Sequence, residues 1–147
     1  MPVDEEWLLA KQLLEEENCT CVICGGERIY RNFESGVKPL LAWLEEGVDM
    51  MGYSAADRVV GSGAAFLFRL LGVRRVYGRV MSAAAVKVLR AGGIEASWGV
   101  LTEHIQNRQK NGLCPMEQVT MHLQDPEEAW MAMREKLQAM KQNKHTS

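Results

Sequence analysis

Histidine is scarce in this chain of 147 residues, and the three present, His104, His122 and His145, fall at no metal-binding spacing. A tetrahedral zinc site would therefore have to come mainly from thiolates. There are four cysteines, and three crowd together as Cys19, Cys21 and Cys24. Cys21-Val22-Ile23-Cys24 has CxxC spacing, but the segment reads as a strand, whose alternation sends the two side chains to opposite faces. Buried structural thiols are the expectation, with no metal and no cofactor implied. No apolar run approaches the ~20 residues that a membrane span needs. Residues 1–18 are acidic and helical in pattern, unlike a secretory signal, so a cytoplasmic location is expected. Basic and aromatic residues do not alternate as a nucleic-acid surface would require, and the net charge is −2. Internal repeats and low-complexity linkers are also missing, which leaves one domain over residues 1–147 with a frayed tail from Asn143.

The charge is unevenly spread. Residues 1–50 carry a balance of −7 and residues 51–110 a balance of +6, supplied largely by Arg58, Arg69, Arg74, Arg75, Arg79 and Arg90. Such a basic middle attracts phosphate or another anion, although any single arginine of the set also reads as a solvated helix or strand end.

Apolar spacing at Trp7, Leu8, Leu9, Leu13 and Leu14 predicts a helix over Asp4–Glu17. Cys19–Cys24 and Arg28–Phe33 read as two strands joined by a tight turn at Gly25-Gly26. A helix is expected over Gly36–Glu46 and a short strand over Met50–Tyr53. A long helix then follows over Ala55–Leu71, opened by a Ser54/Asp57 capping pattern and stopped by Gly72. Gly61, Gly63, Ala64 and Ala65 give that helix a face small enough to approach a sheet closely or to admit a ligand. Val73–Val80 reads as a strand, Ser82 as the cap of a helix through Ala91, and Ile94–Val100 as another strand. A connection over Leu101–Leu113 leads to a helix over Cys114–Leu123 with Pro115 at its first position. The last helix runs from Asp125-Pro126 to about Gln142, with Trp130, Met133, Leu137 and Met140 on one face for the core or, second, a partner. A hairpin followed by alternating strands and helices implies a mixed sheet in a three-layer α/β/α sandwich.

This order resembles a bacterial family of unknown function grouped with the cytidine deaminase-like fold. The residues that carry the resemblance are Thr20-Cys21-Val22, Gly36-Val37-Lys38-Pro39-Leu40-Leu41, Ala56-Asp57-Arg58-Val59-Val60-Gly61 and Cys114-Pro115-Met116-Glu117. It covers roughly residues 8–140. It implies a five-stranded sheet in the order 2-1-3-4-5 and a site at the amino ends of the second and third main helices. Zinc deaminases carry H-x-E and P-C-x-x-C on those two helices. The positions taken as equivalent here, Ser54-Ala55-Ala56-Asp57-Arg58 and Met81-Ser82-Ala83-Ala84-Ala85, offer no such set, so zinc-dependent deamination is not expected.

Asn107 to Gln118 is the stretch richest in chemistry. Cys114 stands at a helix start, where a thiol pKa falls, and reads either as a nucleophile or as a small packing residue. His104 lies at the other end of the same connection. Asp57 reads as a base or as a helix-cap acid, and the two together form the candidate catalytic pair, Cys114 and Asp57. Candidate ligand-binding residues are Arg58, Ser82, Asn107, Arg108 and Glu117. Each has a structural alternative: Arg58 as a solvent-facing arginine, Ser82 as a plain cap, Asn107 and Arg108 as loop holders, and Glu117 reaching back to its own cap. Gly112 is expected to turn the chain with a positive φ. The expected function is binding of a small anionic or nucleotide-like ligand without catalytic zinc. The alternatives are a metal-independent enzyme using Cys114 and a protein-interaction module. A homodimer is expected from open sheet edges and the apolar last helix, whereas membrane and nucleic-acid partners are not.

Overall fold

The computed structural model describes residues 3–107 and 109–146, with side chains from Glu5 to Gln142. Strands β1 (Cys21–Gly25) and β2 (Arg28–Asn32) form a hairpin around Gly26, whose positive φ of 59° suits a two-residue turn. Strands β3 (Ser54–Val60), β4 (Arg75–Ser82) and β5 (Glu95–Thr102) are parallel to one another, while β1 joins β3 antiparallel. The sheet order is β2-β1-β3-β4-β5, the order the resemblance implies.

Helix α1 (Val3–Glu16) covers one face of the sheet, packing on β1 and β3. Ala10 and Leu14 meet Cys19, Val22, Cys24 and Ala56 in a small core there. The larger core lies on the other face. Crossover helices α3 (Ser62–Leu71) and α4 (Ala83–Ala91) pack there, with α2 (Lys38–Glu45) and α6 (Pro126–Thr146) against α3. The result is a three-layer α/β/α sandwich with a mixed five-stranded sheet. Cys21 and Ile23 point into the larger core and Val22 and Cys24 into the smaller, so the CxxC pair is split across the sheet as alternation requires. No described helix is long and apolar enough to cross a membrane.

One boundary differs from the sequence reading. Ser54-Ala55-Ala56-Asp57 does not open a helix and Met50–Tyr53 is not a strand; β3 occupies Ser54–Val60 and α3 starts at Ser62. Pairing to β1 on one side and β4 on the other satisfies the backbone of this segment, and that outweighs the local capping pattern. Gly72 ends α3 in the left-handed region (φ 87°), as expected. Gly112 does not carry the positive φ of its loop; Lys110 does, at 59°. Helix α6 extends to Thr146, and Ser147 lies outside the described residues. Met133 is fully buried and Trp130 and Leu137 pack on the core, which assigns most of the apolar face of α6 to the interior.

Candidate functional site

Helices α3 and α4 both begin where their strands end, at the carboxyl ends of the parallel strands β3 and β4. Gly61 is the N-cap of α3, and Ser82 is the N-cap of α4, where its Oγ accepts the backbone N–H of Ala85 at 3.1 Å. Helix α5 (Pro115–Thr120) carries Glu117 into the gap between these two starts. Glu117 is 1% exposed. Its Oε1 accepts the backbone N–H of Ser62 at 3.2 Å and the hydroxyl of Ser82, and its Oε2 accepts the backbone N–H of Ile105. Below the carboxylate, Ser62 Oγ and Thr120 Oγ1 are 2.8 Å apart, and Thr120 also donates to the Met116 carbonyl at 2.6 Å. Gly61 permits the approach, because a Cβ there would stand 3.3 Å from Glu117 Oε1. The small face of α3 is filled in the same way. A Cβ on Gly63 would meet the Met133 sulfur at 2.9 Å and Met116 at 3.3 Å, so α5 and α6 use the close approach.

Ser82 and Glu117 are thus brought together, with Ser62, Ile105 and Thr120 as partners that sequence reasoning missed. The signal was present in Gly61-Ser62-Gly63, which becomes a helix start once the strand is continued through Val60. Glu117 does not reach back to its own cap; its hydrogen bonds go to three other elements.

The other candidates lie apart from that network. Asp57 is on β3 with Cys21 and Gly78 as lateral partners, and it is 7% exposed. Burial raises its carboxyl from the usual range to about 7, opposed by the backbone N–H groups of Arg58 and Val59 and by the Arg58 charge. Arg58 points the other way and spends its guanidinium on the Cys19 carbonyl at 2.7 Å and on the Asn18 side chain, closing the α1–β1 junction. Asn107 braces its loop: its Oδ1 accepts the Asn111 N–H at 3.2 Å and its Nδ2 donates to Asn111 Oδ1 at 2.9 Å. Arg108 lies outside the described residues.

Cys114 is the N-cap of α5, half-buried, with no capping hydrogen bond from its side chain. No hydrogen bond joins it to His104 or Asp57 among the described residues, and His104 is exposed. The other three thiols are buried. Burial, then Glu17, raises Cys19; burial, then Asp57, holds Cys21 well above its ordinary value; and burial, then Glu6, pushes Cys24 up to about 11. A disulfide-exchange titration of native protein at pH 8 is expected to label Cys114 first. Cys19, Cys21 and Cys24 should follow only on unfolding, and Cys114→Ser should abolish the fast phase. A fast phase that survives that substitution would contradict the burial described.

The helix starts do not fit the zinc centre of a deaminase. The first turns offer Ser62-Gly63-Ala64 and Ala83-Ala84-Ala85, and the one carboxylate present has both oxygens engaged by N–H and O–H donors. Among the described residues, no group of three or more His, Cys, Asp or Glu could hold a metal ion.

A second concave region lies at the start of β5. A hollow of about 700 Å³ is lined by Trp7, Arg75, Arg90, Ile94, Glu95 and Ser97. Arg75 pairs with Glu95 at 2.7 Å and lies over the Trp7 ring at 4.9 Å, with Lys11 4.3 Å from the same ring. Arg90 lies over the Trp98 ring at 5.8 Å.

One solved structure agrees with this architecture over nearly its whole length. A crystal structure of a DUF1893 family protein from Thermotoga maritima superimposes with a TM-score of 0.83 at 20% identity, covering 92% of each chain. A dCMP deaminase from the cyanophage S-TIM5 matches with a TM-score of 0.42 at 14% identity, over 65% of this chain and 94% of that one. A search of curated proteins finds no match. The model of the TM1506 family, a domain of unknown function (DUF1893), matches residues 9–137, and the chain belongs to that family.

Proposed function

We propose that this protein binds a small anionic ligand with an apolar or ring-bearing body, of the organic-phosphate or nucleotide kind, without a catalytic metal. The observation that carries this reading is the hollow at the start of β5. Its volume of about 700 Å³ is that of a small-molecule site. Ile94 and Trp7 furnish apolar walls, and Arg75 is pre-set by Glu95. Arg90 has no carboxylate partner among the described residues and can fork onto a phosphate. The helix starts are a poorer ligand site in this chain, because Glu117 already uses their donors.

A thermal-shift series with AMP, ribose 5-phosphate, inorganic phosphate and adenosine tests the reading. A ligand at about a hundred times its Kd contributes ~2.7 kcal/mol, which raises Tm by several degrees. Phosphate-bearing compounds are expected to raise Tm of the native protein, adenosine is not, and Arg90→Gln is expected to remove most of the effect. Shifts that are equal in the variant and the native protein would place binding elsewhere.

A further inference from the structure

The Glu117 carboxylate is fully enclosed, yet no lysine or arginine pairs with it among the described residues. Its charge is met by two main-chain N–H groups, one hydroxyl and the first turns of two helices of ten and nine residues. These donors belong to three separate stretches of chain: the β3–α3 junction, the β4–α4 junction and the connection after β5. Among the described residues, Glu117 is the side chain whose hydrogen bonds reach all three. That is the structural work a bound metal ion does when it gathers ligands from distant segments, here done with the opposite sign of charge and with donors in place of ligands.

We propose that Glu117 is a tethered anion standing in for a metal ion. It closes the space between α3 and α4 and latches α5 and the chain at Ile105 onto the sheet, and the cradle it fills is selective for a carboxylate. Two of its three donors, the Ser62 N–H and the Ser82 hydroxyl, sit on helix starts anchored by the central strands, so they stay in place and unsatisfied when the side chain is removed. A free carboxylate small enough to enter, such as formate, then takes the vacated position. Two consequences follow. Native protein takes up neither zinc nor formate at this place, because the carboxylate already occupies it. A neutral side chain at 117 loosens the latch selectively, leaving the central strands as they were.

The experiment uses the full chain. Thermal unfolding of Glu117→Ala is followed against sodium formate, with sodium chloride at equal ionic strength as reference. A saturable rise in Tm of several degrees with formate over chloride is expected in Glu117→Ala, and no such difference in the native protein or in Glu117→Gln. Equal responses to the two salts in Glu117→Ala would overturn the proposal, as would stoichiometric zinc in metal analysis of the native protein. If Glu117→Ala does not fold, amide hydrogen exchange of Glu117→Gln decides. Faster exchange at Ile105 and Ser62 with β3 and β4 unchanged supports the latch, and unchanged exchange at both overturns it. The readouts do not involve Arg90, so failure here and failure of ligand binding at the β5 hollow are told apart.

Discussion

Native protein is expected to lose roughly 4 kcal/mol of folding stability between pH 4 and pH 8 through the ionisation of Asp57 alone, about three pKa units at ~1.36 kcal/mol each. The cause is position. Asp57 shares a face with Ala55 and Cys21, both in the larger core, and burial lifts its pKa from 3.8 to about 7. The folded state therefore binds more protons than the unfolded state across that window. The favourable contribution is complete below the unfolded value and is lost as pH rises through about 7. Cys21 beside it does not share the titration, since burial and Asp57 hold its thiol well above its ordinary value. Arg58 gives limited relief because its guanidinium is committed to Asn18 and Cys19 across the sheet.

Asp57→Asn separates this effect from the rest of the molecule. The amide Oδ1 of the variant can still accept the N–H groups of Arg58 and Val59, and the side chain no longer ionises. Its new N–H donors cost about 1–3 kcal/mol if they stay unpaired in the core. The two stability curves are therefore expected to cross, with the native protein the more stable at pH 4 and Asp57→Asn the more stable at pH 8. Urea unfolding at several pH values measures the difference between the curves, which cancels the carboxylates common to both. Parallel curves would show that Asp57 is ionised and solvated throughout.

The same segment shows what the sequence could and could not convey. Ser54-Ala55-Ala56-Asp57 has the composition of a helix start, and nothing in its immediate neighbourhood argues otherwise. The residues that make it a strand are Cys21 to Cys24 and Arg75 to Gly78, its lateral partners, at distances in sequence that local periodicity does not sense. Small side chains are needed at Ala56 because Ala10 and Leu14 of α1 press on it. By contrast, Ser82 as a cap, Pro115 at the opening of α5 and Gly72 at the close of α3 were legible, since each rests on backbone chemistry within one turn. The sheet order was available from the resemblance. The site was half legible: Ser82 and Glu117 were readable as polar groups at helix starts, but Glu117 lies 35 residues from Ser82 and 55 from Ser62 in the chain. Only the packing of α5 and α6 onto Gly63 shows that the carboxylate faces inward and fills the gap itself.

Glu117→Ala is expected to destabilise the protein by roughly 3–5 kcal/mol, as is usual when one partner of a buried charged network is removed. Two effects oppose each other. Removing the carboxylate ends the cost of holding a charge out of water, which favours the variant. Against that, the N–H groups of Ser62 and Ile105 lose their acceptor while still enclosed, at about 1–3 kcal/mol each, and the missing side chain leaves a void. Ser82 is less affected, because its Oγ still accepts the Ala85 N–H and its hydroxyl can rotate. The orphaned donors win, since burial denies them water. Glu117→Gln keeps the volume and one acceptor but turns an amide N–H toward a donor, for a smaller loss of about 1–3 kcal/mol. Ser82→Ala forfeits the cap of α4 and one bond to the carboxylate, at about 1–2 kcal/mol. Denaturant unfolding of the three variants at pH 7 checks the ranking, in which Glu117→Ala loses most and Glu117→Gln loses at least as much as Ser82→Ala. A native-like midpoint for Glu117→Ala would mean that water reaches the helix starts and that the carboxylate is not what holds α5 in place.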